Sequence, residues 1–222
     1  MVRRLIVFDL DGTLVDSHRD IANTANALVE ELGGQRLTHE AVGRMVGEGA
    51  ALLVARAMEA AGLPNQPAAL TRYLELYDER LLEHTRPYPG VIEALEAART
   101  HGALAVLTNK PLRPSLRILE GLGLRRYFGA VLGGDGPHPR KPDPSALLQL
   151  AAEAGVTPDT TLLVGDSAAD HKTARAAGAR CCIVRYGFGS VSMQDRTLAD
   201  GEWAVADTAE LPAVFQAFAS GR

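Results

Sequence analysis

LIVFDLDGT, residues 5–13, decides the fold: a fully apolar run ends in two aspartates one residue apart, Asp9 and Asp11, followed at once by Gly12 and Thr13. A short apolar run bounded in this way reads as a strand buried on both faces, the form strands take in parallel sheets. Carboxylates at its end stand where open α/β sheets place their ligands. Extended alternation predicts that the Asp9 and Asp11 side chains leave the chain on the same side. Gly12 reads as a close backbone approach or an unusual turn, and Thr13 as a residue that hydrogen-bonds locally.

Outward from this stretch, further strands are predicted at LAVL (104–107), AVLGG (130–134), TLLVG (161–165), CCIV (181–184) and WAV (203–205). Helical spacing fills 90–100, 114–122, 144–154 and 168–177 between them. Pro89 and Gly90 precede the first of these helices, Pro144 is placed in the first turn of the third, and Gly155 and Gly178 follow the last two. Alternation of strand and helix predicts an α/β fold, a doubly wound parallel sheet of Rossmann-like form. From Asp16 to Pro87 the alternation stops and only helical patterns appear, among them DIANTANALVEELG and PAALTRYLELYDERLLE. The domain reading is therefore a core of residues 1–15 and 88–222, with a helical bundle, 16–87, inserted after the first strand.

Composition narrows the function classes. The 222 residues are 46% hydrophobic and 23% charged, with a formal net charge of -4. That balance gives no pull toward nucleic acid or an anionic membrane. Cys181 and Cys182 are the whole cysteine complement, adjacent in an apolar run, and read as two buried thiols in a reducing cytoplasm. The apolar run after Arg3 and Arg4 is cut short by Asp9, unlike a signal peptide, and no run approaches the ~18 apolar residues of a membrane span. A soluble cytoplasmic protein is expected, with its oligomeric state left open.

The predicted strand ends carry the chemistry. Asp9 and Asp11 follow the first strand, Thr108, Asn109 and Lys110 follow LAVL, and Asp166, Ser167 and Asp170 follow LLVG. In a parallel sheet these ends share one edge, so the residues meet in one crevice. Lys141, in RKPDPSALL, precedes a helix start that favours an anion. Carboxylates gathered in this way repel one another unless a cation intervenes, and hard oxygen ligands beside a phosphate select Mg²⁺.

DLDGT, TN after a later strand, KPDP and GDSAAD, in this order and with a helical insertion after the first, resemble the four signature motifs of the haloacid dehalogenase superfamily. DLDGTLVDS, LTNKP and GGDGPHPRKPDP most resemble its phosphoglycolate phosphatase group, which has a helical cap. The resemblance implies that Asp9 is a nucleophile forming an aspartyl phosphate, and that Asp11 serves as general acid and then general base. It implies Mg²⁺ held by the Asp9 carboxylate, the Asp11 carbonyl and Asp166, with Asp170 in support. Thr108 and Lys141 would hold the phosphate of a small phosphorylated metabolite, 2-phosphoglycolate first among them, with Asn109 a further substrate-binding residue.

In the insertion, His18, Arg44 and the glycine-bordered loop VGEGA (46–50), which holds Gly47, are placed to reach a substrate. A sugar phosphomutase of the same superfamily is the alternative enzyme. Such mutases carry a histidine where this chain has Ile21 and a glutamate where it has Gly165. A receiver-like phosphoacceptor is countered by Asp11, the insertion and the extra carboxylates after LLVG. A noncatalytic binding module is countered by the complete set of acid, nucleophile, lysine and metal aspartates. His39, His84, His101, His138 and His171 read as surface or loop residues, Tyr73, Tyr77, Trp203 and Phe215 as core or interface, and GFG (187–189) as a plain turn.

Overall fold

The computed structural model describes residues 3–64, 66–194 and 197–221. In chain order the regular elements are β1 (Leu5–Phe8), β2 (Val15–Asp16), α1 (His18–Glu31), α2 (His39–Gly43), α3 (Ala50–Ala60), α4 (Pro67–Arg80) and β3 (Arg86–Pro87). There follow α5 (Val91–Ala98), β4 (Ala103–Leu107), α6 (Leu112–Gly121), β5 (Ala130–Leu132), α7 (Ser145–Glu153), β6 (Thr161–Gly165), α8 (Ala168–Ala177), β7 (Arg180–Val184), β8 (Glu202–Val205) and α9 (Leu211–Ser220).

Six strands pair in parallel in the order β5-β4-β1-β6-β7-β8. All six predicted strands are present. β1 lies at the centre, and the chain leaves it first toward β4 and β5, then toward β6, β7 and β8. This is the doubly wound order whose reversal opens a crevice at the carboxyl ends of the central strands.

Strand periodicity divides the core into two layers. Ile6 and Phe8 pack into the layer that holds α5, α6 and α9, whereas Leu5 and Val7 pack with α7 and α8 on the other face. Phe8 meets Phe128 and Phe215 edge-on, with ring centroids 6.2 and 6.1 Å apart. The same alternation sends Cys181 to one face of β7 and Cys182 to the other, both buried and free. α8 begins with a reciprocal cap between Ser167 and Asp170 and ends at Gly178 in the left-handed conformation. Pro144 sits at the cap of α7, one position earlier than expected, because α7 begins at Ser145.

The segment from 16 to 87 is helical, with α1 buried against α4 along Ile21, Ala25, Leu28 and Val29. It departs from the sequence reading at its ends, where β2 and β3 form a two-stranded antiparallel ribbon pairing Val15 with Pro87 and Asp16 with Arg86. Two-residue strands leave no period to read. Asp20, wholly buried in the first turn of α1, staples the ribbon's return by accepting hydrogen bonds from the backbone N–H groups of His84 and Thr85 and from the Thr85 hydroxyl. Among the described residues no helix is long and apolar enough to cross a membrane.

Candidate active site

Asp9 continues β1 by one residue, its N–H donated to the Val164 carbonyl of β6. Its own Oδ1 accepts from the Leu10 N–H at 2.7 Å and lies 2.9 Å from the Lys141 Nζ. Beyond it the chain does not stay extended. The Leu10 carbonyl accepts from the N–H groups of Thr13, Leu14 and Val15 at 3.3, 3.0 and 3.1 Å, closing a tight loop around Gly12, whose φ is 81°. Asp11 therefore reaches the same cleft as Asp9 through a turn, not through strand alternation, which ends at Phe8. The Thr13 hydroxyl, expected to bond locally, is buried without a partner.

Gly12 is also a close approach. A Cβ there would lie 2.0 Å from Oδ2 of Asp166, and one at Gly187 would lie 2.4 Å from the same atom. Asp166 follows β6 and accepts a 2.7 Å hydrogen bond from the Gly189 N–H. The GFG stretch expected as a plain turn thus wraps the carboxylate, and Phe188 and Gly189 line the cleft. Nothing in three residues of sequence fixes that approach, because it is made by a chain returning from β7.

Asp170 is wholly buried at the start of α8. Its Oδ2 accepts from the Ser167 N–H and hydroxyl at 3.0 and 2.6 Å, and its Oδ1 from Lys141 Nζ at 2.6 Å. With its oxygens so engaged, Asp170 holds Lys141 against Asp9. Asn109 acts on the same lysine from the backbone side. Its Nδ2 donates to the carbonyls of Lys141 and Gly47 at 3.0 and 2.9 Å, and its Oδ1 accepts from the Lys141 N–H at 2.8 Å. The side-chain amide is spent on backbone groups and so positions Lys141, while Asn109 itself lines the cleft. The Thr108 hydroxyl lines the cleft and accepts from the Lys110 N–H at 3.2 Å.

Carboxylate oxygens of Asp9, Asp166 and Asp170 all lie within 4.8 Å of one another. At an effective dielectric of 20 each such pair of charges costs about 3 to 4 kcal/mol. Lys141 offsets two of the three, and among the described residues Asp166 has no ion-pair partner. Burial, then Asp170 and Asp9, push the Asp166 carboxyl well above its ordinary range. Burial likewise raises Asp9 to about 7 against the opposing pull of Lys141. Burial works against the charge of Lys141, yet Asp170 and Asp9 outweigh it and hold the ammonium charged. A buried carboxylate without a cation, beside a second one and a tight loop of backbone carbonyls, fits a hard divalent cation bound through oxygen.

The cleft above these residues is open to solvent, with about 670 Å³ of space in it and its mouth. Its floor is the sheet edge and its roof the inserted helices, which contribute Ile21, Val46, Leu53, Tyr73, Leu74 and Tyr77. Gly47 lines it as expected. Arg44 does not, for it lies on the exposed side of α2's end, paired with Glu40 at 2.6 Å. His18 turns to the His39 carbonyl and packs on Phe188, 5.6 Å between centroids. His171, expected at the surface, is buried against Glu202 at 2.9 Å.

Sequence reasoning placed Lys110 at the strand edge without a chemical role and read Tyr77 as core or interface. The Lys110 side chain is 6% exposed, with Nζ 2.9 and 3.1 Å from the two Asp11 oxygens and 2.7 Å from the Tyr77 hydroxyl of α4. Ser17 donates to Asp11 from the other side, at 2.5 Å. The available signal was position: Lys110 directly follows the Thr-Asn pair at the end of β4. Burial pushes the Tyr77 hydroxyl well above its usual range, so it stays protonated.

Comparison with known proteins follows the same lines. The family model of the haloacid dehalogenase-like hydrolases matches residues 3–178. A phosphoglycolate phosphatase of Rhodospirillum rubrum is 40% identical over 217 residues, covering 90% of each chain. Phosphoglycolate phosphatase 1 of Pseudomonas aeruginosa is 39% identical over 193 residues, 83% of this chain and 70% of its own length. Among solved structures, a protein of Haemophilus somnus described as a predicted phosphoglycolate phosphatase superposes with a TM-score of 0.85 at 30% identity, covering 96% of this chain and 97% of that one.

Proposed function

The chain belongs to the haloacid dehalogenase-like hydrolases, and on that premise we propose that it hydrolyses the phosphate ester of a small metabolite, 2-phosphoglycolate first, through a phosphorylated Asp9. It is a phosphoric monoester hydrolase. The observation that carries the residue assignment is the meeting of Asp9 Oδ1 with Lys141 Nζ at 2.9 Å, beside Asp11 and the unpaired carboxylate of Asp166.

Asp9 attacks phosphorus with a carboxylate oxygen. The bond between phosphorus and the ester oxygen breaks, and Asp11 gives its proton to the departing alkoxide. Asp11, now a carboxylate, takes a proton from the incoming water as that water attacks phosphorus, and Asp9 leaves with its electron pair. Lys141, kept charged and aimed by Asp170 and Asn109, balances the charge of the phosphate oxygens. The Asp9 and Asp166 carboxylates and the Asp11 carbonyl would hold Mg²⁺, which would supply positive charge where two anions meet.

Residues 16–87 act as a cap on a core of 1–15 and 88–222. Support comes from the β2–β3 ribbon at the single crossing between them and from the Asp20 staple beside it. A cap over this edge excludes water while Asp9 attacks and readmits it for the second step. The phosphomutase alternative is disfavoured by Ile21, a buried apolar side chain lining the cleft where the mutase histidine would stand. Gly165 disfavours it too, since a Cβ there would lie 2.2 Å from the Asp170 carboxyl carbon and leave no room for glutamate.

Asp9→Asn should abolish turnover, by roughly 10⁴-fold or more, with the folded state retained. Asp11→Asn should slow breakdown of the intermediate, so that mass spectrometry of a rapidly quenched reaction finds phosphate on the Asp9 peptide. Wild-type turnover in Asp9→Asn, or phosphate trapped on any other residue, rejects the mechanism.

A further inference from the structure

Among the described residues that line the cleft, Lys110 is the one lysine or arginine. Its ammonium is buried, faces the space beneath the cap, and is held from both sides, by Asp11 of the core and by the Tyr77 hydroxyl of α4. It also stands over the Tyr77 ring, 4.5 Å from the centroid. Lys141 already serves the phosphate end from within the Asp9 and Asp170 cluster, so the charge of Lys110 is not needed there. With Asp11 as its one ion-pair partner among the described residues, the buried ammonium can take a second anion from the cleft.

We propose that Lys110 is the specificity-determining residue that binds a carboxylate on the leaving alcohol, selecting phosphate esters of α-hydroxy acids over those of neutral alcohols. This rests on the phosphatase reading above and names the substrate class for that same site. The reach fits. A proton donor stands about 2.7 Å from its acceptor, so an ester oxygen served by Asp11 lies within about 6 Å of Lys110 Nζ, given the 2.9 Å from Nζ to Asp11. In the ester of an α-hydroxy acid the carboxyl carbon is only two bonds beyond that oxygen, about 2.4 Å away. A carboxylate oxygen turned toward Lys110 then comes within hydrogen-bond distance of it without moving the phosphate.

The surroundings sharpen the selection. Ile21, Leu53, Tyr73 and Leu74 give this side of the cleft an apolar wall. There an ammonium and a carboxylate attract more strongly than in water. The hydroxyl groups of a sugar would lose their water and find few partners on that wall. Nζ donates to both Asp11 oxygens and to the Tyr77 hydroxyl, so a substrate carboxylate would replace one of these acceptors, and because Tyr77 belongs to the cap the same contact reports whether the cap is seated.

The test compares kcat/KM for 2-phosphoglycolate with that for ethyl phosphate, which carries a methyl group in place of the carboxylate, in the wild type and in Lys110→Met, Lys110→Arg and Tyr77→Phe. Both esters should slow in Lys110→Met, because Asp11 loses a partner, but the preference for 2-phosphoglycolate should collapse by at least tenfold. Lys110→Arg should keep part of that preference, and Tyr77→Phe, a milder change that spares the fold, should reduce it by a few-fold. Equal proportional losses on both esters would overturn the assignment and leave Lys110 a prop for Asp11. A wild type that hydrolyses both esters equally would overturn it too, while leaving the phosphatase reading in place. A wild type that cleaves neither of these nor an aryl phosphate would instead remove the phosphatase reading itself.

Discussion

The floor and the roof of the cleft are built from different materials. The floor is a row of charged side chains at the ends of β1, β4 and β6, each locked by partners: Asp9 by Lys141, Lys141 by Asp170, and Asp170 by the cap of α8. The roof is apolar and aromatic, and it meets the floor through few polar contacts, chiefly Tyr77 with Lys110 and the Gly47 carbonyl with Asn109. Farther out, Asp78 of α4 pairs with Arg113 and Arg117 of α6 at the surface. Chemistry common to many esters belongs on a rigid floor, whereas choice among them belongs on a part that moves. Apart from Lys110, which stands on the floor but meets the roof at Tyr77, changes to the floor should therefore slow every substrate alike, and changes to the roof should reorder substrates.

The most severe break of the floor, short of removing Asp9, is withdrawal of the proposed Mg²⁺. Excess chelator should stop turnover of every ester, and Mg²⁺ should restore it better than Ca²⁺, whose larger and looser shell misplaces the reacting groups. A stability readout separates binding from catalysis. Folding raises Asp9 from 3.8 to about 7 and moves Asp166 in the same direction. Between about pH 4 and 7 the folded chain then binds more protons than the unfolded one, so the metal-free protein loses stability as pH rises through that window. Protons and Mg²⁺ compete for these oxygens. The rise in Tm on adding Mg²⁺ should be small at pH 5.5 and several degrees at pH 7.5; an equal or larger rise at the lower pH contradicts the site.

Lys141→Ala comes next, with an expected loss of roughly 10²- to 10³-fold in kcat. Because the lysine is proposed to serve only the phosphate, 2-phosphoglycolate and a small aryl phosphate should lose in the same proportion. The variant also strands Asp170 as a buried carboxylate without its cation, a change that destabilises by about 3 to 5 kcal/mol when one partner of a buried pair is removed. Thermal melting at pH 7 checks that half, and an unchanged kcat with an unchanged Tm would return Lys141 to a passive loop residue.

What could be read in the sequence follows the same division. The floor is legible because strands have a period of two and their ends share one edge, so Asp9, Thr108 and Asp166 could be placed together from spacing and order alone. The clamp on Lys141 was only half legible. Asp170 could be read as support, but the engagement of Asn109 with two backbone carbonyls depends on a loop from the insertion arriving at Gly47. The roof was almost silent. Helical spacing predicts that Tyr73 and Tyr77 are buried without saying that they are buried against a cleft, and a charged residue such as Arg44 looks functional wherever the fold is unknown. His171 misled in the other direction, since its partner Glu202 lies on β8 and no local pattern joins them.

The finest test sets two neighbours in the roof against each other. Gly47 lines the cleft, has φ at 116°, and lends its carbonyl to Asn109. A Cβ at that position meets open space, so Gly47→Ala acts through the backbone: an alanine at such a φ costs about 1 to 3 kcal/mol. The loop should shift and slacken the hold of Asn109 on Lys141, lowering kcat/KM by up to about tenfold, the more so for a metabolite that touches the roof. Arg44 lies only three residues earlier. Its side chain is 57% exposed and its partner Glu40 83% exposed, a setting in which an ion pair contributes well under about 1 kcal/mol. Arg44→Ala should change kcat/KM by less than about twofold on every ester, with Tm nearly unmoved. Steady-state kinetics on 2-phosphoglycolate, ethyl phosphate and an aryl phosphate decide between the two residues. If Arg44→Ala reorders the three esters while Gly47→Ala leaves their ranking intact, substrate choice lies on the outer rim of the cap, not in its apolar lining.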